Sequence, residues 1–563
     1  MKIVGIKLTH DAAVALIDDG RLIFSIEEEK IENNPRYSSF NLKNFSIEKV
    51  LNSYGYSMES IDRFVVDGWN NGYVHHLFNK SEFHKLELHG YDPITNGQPL
   101  LDVKTFNSRV LPIYSSYQHV SGHAIGAYCT SPFSKTLQSS YILVWDGAIG
   151  PQLYYFDSKL KEFQTIGWVN KIYGCAYAEF AHKFPPFSSS DLYDMSIPGK
   201  VMAYLAKGKI QKELLDFSIQ FYNQIYLSKE GKNLDCRGLS KKVQEAIYQR
   251  GVTAGYPEDD IMTTFSTFLG ELLITGLANI IGNYPDRAKK ICYAGGCALN
   301  IKWNGLIRSS GIFDEVWIPP FPNDSGSAIG TACCEMVNVS GVFSLVWNLY
   351  SGPKLVDNLE RPQNWSTQPC SILALSKILH YCGEPVVVLN GNAELGPRAL
   401  GNRSILAPST TNLMKATLNE LKQREDFRPI APICIEEEAG DYFFPGTSDP
   451  LMLFDHEILK NKLHLIPAVA HLDGTARLQT VNEDDNPLIY KLLKEYKNLS
   501  GIPILCNTSA NFNGSGFFPD VASAIKWGKC NFIWSDGCLW YNKSNVDENM
   551  LNSYTIEDLT IPN

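Results

Sequence analysis

The chain has 563 residues, 44% of them hydrophobic and 20% charged, with a formal net charge of −10. That length exceeds what one hydrophobic core usually serves, so two or more domains are expected, and the apolar fraction is large enough to fill them and to exclude disorder. Acidic and basic residues are interspersed, which counts against a broad nucleic-acid-binding face, because phosphate binding needs clustered Lys and Arg.

The first elements are a strand over residues 2–6, a polar loop from Lys7 to Asp11, a strand over 12–17, an Asp18-Asp19-Gly20 turn and a strand over 21–26. Lys7, His10 and Asp11 interrupt the opening run too early for a signal peptide, and no uninterrupted apolar run approaches the ~18 residues of a membrane span. The thirteen cysteines form no Cys-x-x-Cys pair and sit mostly among apolar neighbours, as in Ile291-Cys292-Tyr293. They read as small buried hydrophobes of a reducing compartment, so a cytoplasmic protein without a membrane partner is expected.

His119 and His123 lie four apart in a segment whose Val120, Ala124, Ala127 and Tyr128 recur at helical spacing, so both imidazoles should leave one side of one helix. That spacing can chelate a metal, although such pairs also occur as ordinary surface or core histidines. No Glu follows His119 as in His-Glu-x-x-His, so a zincin protease is not indicated. Asp324, on the Gly-flanked loop Pro322-Asn323-Asp324-Ser325-Gly326, is a candidate third ligand. Two histidines and one carboxylate with open positions suit Fe(II) or another divalent ion.

The opening pattern returns at residues 142–145, with the polar loop Asp146 to Gly150, a strand over 152–156 and a turn at Asp157-Ser158. Two such units, each bending a Gly- or Asp-bearing loop toward one cleft, are how the actin and sugar-kinase superfamily builds its nucleotide site, although any antiparallel sheet also produces strand, turn, strand. Ile291-Cys292-Tyr293-Ala294 then runs into Gly295-Gly296 and Ala298-Leu299-Asn300. Paired glycines ending a strand and opening a helix would let backbone N–H groups approach a phosphate; tight packing is the other explanation.

Between Asn348 and Ser371 the periodicity gives way to a linker composition, placing a domain boundary near residue 355, and 386–389 reads as a buried strand. Beyond it the loop Glu394 to Ser404 carries Arg398 and Arg403 among glycines, with Lys422, Arg424, Arg428 and Arg477 downstream. Arginine suits bidentate capture of phosphate and carboxylate oxygens. Phe427-Arg428-Pro429-Ile430 puts its cation beside apolar residues, where a solvated surface arginine is a poor explanation.

Several of these segments form one ordered set: His10-Asp11-Ala12, Glu27-Glu28, His119 to His123, Asp146-Gly147, Pro198-Gly199-Lys200, Gly295 to Asn300 and Asp324-Ser325-Gly326. Gly396 to Ser404, Lys422 with Arg424 to Pro429, His471 to Arg477 and Asn507-Thr508-Ser509 continue it. On these motifs nearly the whole chain resembles the NodU/CmcH-type O-carbamoyltransferases, which modify hydroxyls on natural products and signalling oligosaccharides.

The resemblance implies an α/β and α+β fold: a duplicated actin/sugar-kinase-like transfer domain with a metal site, residues 1–355, and a YrdC-like twisted-sheet domain, 356–563. The second domain would make carbamoyl adenylate from carbamoyl phosphate and ATP. The first would pass the carbamoyl group to a small hydroxylated acceptor and release AMP. Carried over, Arg398, Lys422, Arg428, Arg477, Asn507 and Ser509 would hold carbamoyl phosphate and ATP. His119, His123 and Asp324, with Asp146 near, would bind a divalent metal, Fe(II) foremost, and Mg2+ would accompany ATP. Gly174, Lys200, Gly295, Gly296 and Asn300 would line the adenylate site, and His10 would be the catalytic residue beside the acceptor hydroxyl. A wall of the acceptor pocket is expected along 78–103, with His84, Glu87, His89 and Tyr91.

The chain departs from the family pattern at Asn392, where a basic residue is usual, and at Ala510, where an aromatic is usual. It also departs at Asn513-Gly514-Ser515-Gly516 and in the Ala148-Ile149-Gly150 loop, which lacks an acid. A threonylcarbamoyl-type tRNA-modifying enzyme would need a basic surface that the charge balance disfavours, and a hydrogenase-maturation enzyme would carry Cys-x-x-Cys zinc modules. A catalytically inactive regulatory homologue is opposed by the retained ligands and cations. A homodimer is compatible with this reading, and no nucleic-acid partner is expected.

Overall fold

The computed structural model describes residues 1–32, 46–79, 82–111, 113–191, 194–356 and 362–555. The chain divides into two units, Met1–Glu28 with Tyr37–Asn348, and Glu29–Arg36 with Leu349–Asn563.

In the first unit, β1 (Lys2–Lys7), β2 (Ala13–Asp18) and β3 (Arg21–Glu27) form the opening meander, with Asp19 and Gly20 at φ 45° and 75° as a two-residue hairpin loop requires. Next come β4 (Arg63–Asp67), a separate hairpin of β5 (Tyr73–Asn79) and β6 (Glu82–Glu87), then β7 (Val103–Phe106) and β8 (Tyr114–Tyr117). The sheet runs β3-β2-β1-β4-β8-β7. A second sheet holds β9 (Ser140–Val144), β10 (Gln152–Asp157), β11 (Glu162–Trp168), β12 (Lys290–Ala294) and β13 (Glu315–Trp317), in the order β11-β10-β9-β12-β13. From the edge strands β3 and β11 inward, both sheets pair antiparallel, antiparallel, parallel, parallel. The repeat seen in the sequence is therefore a repeat of whole sheets.

Two helices, His119–Cys129 and Ser327–Ser340, pack against each other in this unit. Small residues set their spacing: a Cβ at Gly330 would meet Gly122 O at 2.1 Å, and one at Gly126 would meet Gly330 Cα at 2.9 Å. Gly5 on β1 lies equally close to Ala328 O, at 2.0 Å from a built Cβ. The helix Glu258–Ile281, 24 residues, passes by length and composition for a membrane span, although its apolar residues are interrupted by polar ones. It opens on Glu258, Asp259 and Asp260 and buries Phe265, Phe268, Leu269, Leu273 and Leu277 in the unit, as a core helix does.

The second unit is built on an eight-stranded mixed sheet. Its order is Trp365–Pro369, Cys538–Asn542, Phe532–Ser535, Val386–Leu389, Arg403–Pro408, Ile504–Ser509, Ala431–Ile435, Gln479–Val481. Alternate residues face opposite cores: Val387, Leu389, Ile405 and Ala407 one, Val386, Val388 and Leu406 the other. Trp365–Pro369 lies inside the segment whose composition reads as a linker; it is an edge strand paired antiparallel with Cys538–Asn542. An edge tolerates the proline that ends it, so the composition concealed the strand.

Candidate metal and anion sites

In the first unit the charged ends of neighbouring strands converge. Lys7 ends β1, Asp67 ends the parallel strand β4, and Asp146 follows β9. Carboxyl ends of parallel strands are where open α/β sheets place their ligands. The His119–Cys129 helix, buried at every residue, brings His119 and His123 to the same place, and the turn Asp324–Gly326 brings Asp324.

Ligand atoms of His119, His123, Asp146 and Asp324 all lie within 4.8 Å of one another, and all four residues are buried. His119 Nε2 is 3.2 Å from His123 Nε2, 3.4 Å from Asp324 Oδ1 and 3.8 Å from Asp146 Oδ2; His123 Nε2 is 3.5 Å from Asp324 Oδ1. On its other side His119 Nδ1 is 2.7 Å from Asp67 Oδ2. A proton on Nδ1 donated to that carboxylate leaves Nε2 as a lone pair aimed into the cluster, the tautomer a metal requires. Two imidazole nitrogens facing each other beside two carboxylates are a donor set for a divalent transition metal, so the residues fit such an ion.

Lys7 and the carboxylates form one network. Lys7 Nζ is 2.9 Å from Asp67 Oδ2 and 2.9 Å from Asp324 Oδ2, and 4.2 Å from the Trp69 ring centroid. Burial opposes ionisation of Asp67 and Asp324, but Lys7 and His119 outweigh it and hold both carboxyls below their ordinary range, Asp324 well below. Asp146 is also lowered against burial, by His119 and His123. Its Oδ1 accepts Gly296 N–H at 2.7 Å and its Oδ2 accepts the Tyr91 phenol.

His10 stands beside the cluster. Its Nδ1 is 3.0 Å from Asp11 Oδ2 and its Nε2 3.5 Å from Asp324 Oδ2, and Trp69 packs edge-on at 5.2 Å between centroids. Burial lowers the imidazole pKa, but Asp324 and Asp11 outweigh it and raise it.

Gly295, at φ 93°, and Gly174 are required by close approach: a Cβ would meet Trp145 O at 2.4 Å and Asp146 O at 2.6 Å respectively. The glycine pair opens a short 3-10 helix, Gly296–Leu299, with Gly295 at its N-cap, and the α-helix Ile301–Ser309 starts beyond it. Asn300 caps that helix, its side-chain oxygen accepting the N–H groups of Lys302 and Trp303. Lys200 sits apart from these contacts, 3.4 Å from Asp194 Oδ2 and partly exposed.

The second unit gathers its cations. Burial first, then the charges of Arg428 and Arg477, lowers the Arg424 guanidinium to about 9; burial and Arg428 lower Arg477 to about 10. Lys422 is pushed well down by burial and by Arg424. Like charges pressed together out of water make a site short of an anion. Lys422 donates to Ser509 O at 2.8 Å, to Asn511 O at 2.7 Å and to Asn511 Oδ1, so all three of its hydrogens are engaged. Asn507 Nδ2 reaches Ala399 O at 3.0 Å and Gln479 Oε1 at 2.8 Å, steadying the loop that carries Arg398, and Ser509 Oγ donates to Asn511 Oδ1 at 2.8 Å. That loop is also bound from within: Glu394 Oε1 accepts the N–H groups of Leu400, Asn402 and Arg403 at 2.7, 2.8 and 3.0 Å. Arg403 turns inward onto the carbonyls of Asn390 and Gly391, a structural cation. Asn392 holds Tyr350 O, and Ala510 is fully buried.

Sequence reasoning missed Lys7, Asp67 and Trp69, whose signal was a charge or aromatic placed at or just beyond the end of an apolar strand. Along 78–103, Tyr91 touches the cluster, His89 instead bonds Asp102 at 2.9 Å, Glu87 is exposed, and the His84 side chain lies outside the described residues.

The family description "Carbamoyltransferase N-terminus" matches residues 2–333 and "Carbamoyltransferase C-terminus" matches 379–531. Nodulation protein U of Sinorhizobium fredii is 41% identical over 97% of this chain and 100% of its own length. The 3'-hydroxymethylcephem-O-carbamoyltransferase of Amycolatopsis lactamdurans is 31% identical over 97% of this chain and 100% of its own. Among solved structures, a ROK family glucokinase from Streptomyces griseus in complex with glucose and AMPPNP covers 59% of this chain and 98% of its own at 12% identity. Its TM-score is 0.25. With both family regions matched in order and full-length relatives at these identities, the chain belongs to the carbamoyltransferase family and is an enzyme of that class.

Proposed function

We propose that the chain is an ATP-dependent O-carbamoyltransferase that makes carbamoyl adenylate and delivers its carbamoyl group to a hydroxyl of a small acceptor. The observation that carries the reading is the four-donor cluster with His10 held against Asp324 but outside the donor set.

Activation belongs to the second unit. Atom balance requires one water: carbamoyl phosphate loses its phosphoryl group as phosphate, and the carbamate oxygen so freed attacks the α-phosphorus of ATP, expelling pyrophosphate. Carbamoyl phosphate, ATP and pyrophosphate are polyanions, which the crowded Arg428, Arg477 and Arg424 guanidinium groups and Arg398 suit. Lys422, Asn507 and Ser509 support them, Lys422 by charge and by fixing the end of the 504–509 strand.

Transfer belongs to the first unit. The backbone around Gly174, Gly295 and Gly296, drawn tight against Trp145 and Asp146, together with Asn300 at the cap of the next helix and Lys200, would line the adenylate. His119, His123, Asp146 and Asp324 would hold a divalent metal, which would supply polarisation of the carbamoyl carbonyl. His10 takes the proton of the attacking hydroxyl, the new C–O bond forms, and AMP leaves with the electrons of the broken mixed-anhydride bond.

His10→Asn tests this. It should abolish carbamoylated product from a panel of hydroxylated acceptors while carbamoyl-phosphate-dependent pyrophosphate release from ATP continues. Wild-type transfer, or loss of pyrophosphate release in a folded variant, would remove His10 from the role.

A further inference from the structure

The two oxygens of Asp324 are divided between different neighbours. Oδ1 faces His119 Nε2 at 3.4 Å and His123 Nε2 at 3.5 Å, whereas Oδ2 is held by Lys7 Nζ at 2.9 Å. The same ammonium touches Asp67 Oδ2 at 2.9 Å, the atom that receives His119 Nδ1 at 2.7 Å. One buried cation thus grips both a cluster carboxylate and the carboxylate that orients a cluster imidazole. Lys7 is itself fixed: only 1% of its side chain is exposed, Trp69 covers it, and β1 is clamped where Gly5 meets Ala328 O. It stands between two carboxylate oxygens, each 2.9 Å from Nζ, so its donors face anions on both sides.

We propose that Lys7 is a positioning residue of the metal centre: it confines Asp324 to one-oxygen ligation through Oδ1 and, through Asp67, keeps His119 Nε2 turned into the cluster. The inference rests on reading the cluster as a metal site. Without Lys7, Asp324 Oδ2 is released to reach the ion as well and Asp67 loses its second anchor. Supporting groups of this kind change metal affinity by about 10–100-fold.

The probe is Co(II), whose visible absorption weakens as its coordination number rises. Metal-stripped wild type, Lys7→Met, Lys7→Gln and His119→Ala would be titrated with Co(II), with near-ultraviolet circular dichroism as the check on folding. In a folded Lys7 variant the expected result is at least about 10-fold weaker Co(II) binding together with a weaker absorption band per bound ion. Weaker binding with an unchanged band would reduce Lys7 to a distant charge and overturn the proposal, as would wild-type affinity. Collapse of the fold in both Lys7 variants would assign Lys7 to folding and overturn it equally. If His119→Ala keeps wild-type Co(II) affinity, the metal reading itself fails; if it loses Co(II) while the Lys7 variants do not, only the role of Lys7 fails.

Discussion

Among single side chains, the cations of the second unit separate into two kinds by where their hydrogens go. Arg428 has Glu425 as a carboxylate partner at a loose 3.8 Å, so it can turn to a ligand. Lys422 has spent its donors on Ser509 and Asn511. Arg428→Ala should therefore cut carbamoyl-phosphate-dependent pyrophosphate release by roughly 100-fold, the order seen when one donor to a developing charge is removed, with little change in thermal midpoint. Lys422→Met should lower that midpoint as well, since it leaves buried acceptors without a donor. Rate assays paired with thermal melts distinguish the two; equal melts would mean that Lys422 carries no structural burden.

Between elements, the metal reading depends on how closely two helices lie. The His119–Cys129 helix carries both imidazoles and the Ser327–Ser340 helix begins just past Asp324, and Gly122, Gly126 and Gly330 set their separation. A methyl group at position 330 would stand 2.1 Å from a backbone oxygen, which cannot yield as a side chain can. Gly330→Ala should destabilise the protein by about 1–3 kcal/mol, the usual range for overpacking, and should lower metal content although it touches no donor atom. Metal analysis and denaturant melts of the same preparation check both. The imidazole pair was legible in sequence because an i, i+4 spacing is local. The glycine contact was not, because Gly122 and Gly330 are brought together only by the fold. For the same reason the sequence shows Lys7 as an interruption of a strand and not as a partner of Asp67 and Asp324, and gives Trp365–Pro369 a linker composition.

Across the whole molecule both units gain stability as pH rises, each in its own window. In the first, Asp67, Asp146 and Asp324 have folded pKa values below their unfolded ones. Their contribution is therefore complete above the unfolded value of about 3.9 and is lost as pH falls below it. In the second, Arg424 and Arg477 have folded values near 9 and 10, below their unfolded ones. The unfolded chain holds more protons between those values and the ordinary arginine range, so stability rises with pH across that window. A bound polyanion relieves the same repulsion at neutral pH. Pyrophosphate should then raise the thermal midpoint at pH 7.5 and raise it less at pH 10.5, read by calorimetry; an equal rise at both would remove the cation cluster as its cause. The loop at the head of that cluster is held by a residue from far upstream: the Lys30 ammonium donates to Glu394 O and Gly396 O, each at 2.7 Å, and belongs to the second unit. Anyone exchanging second units between relatives by a single splice near residue 349 would carry the loop away without its clasp. A transplant that keeps its function has to move residues 29–36 together with 349–563.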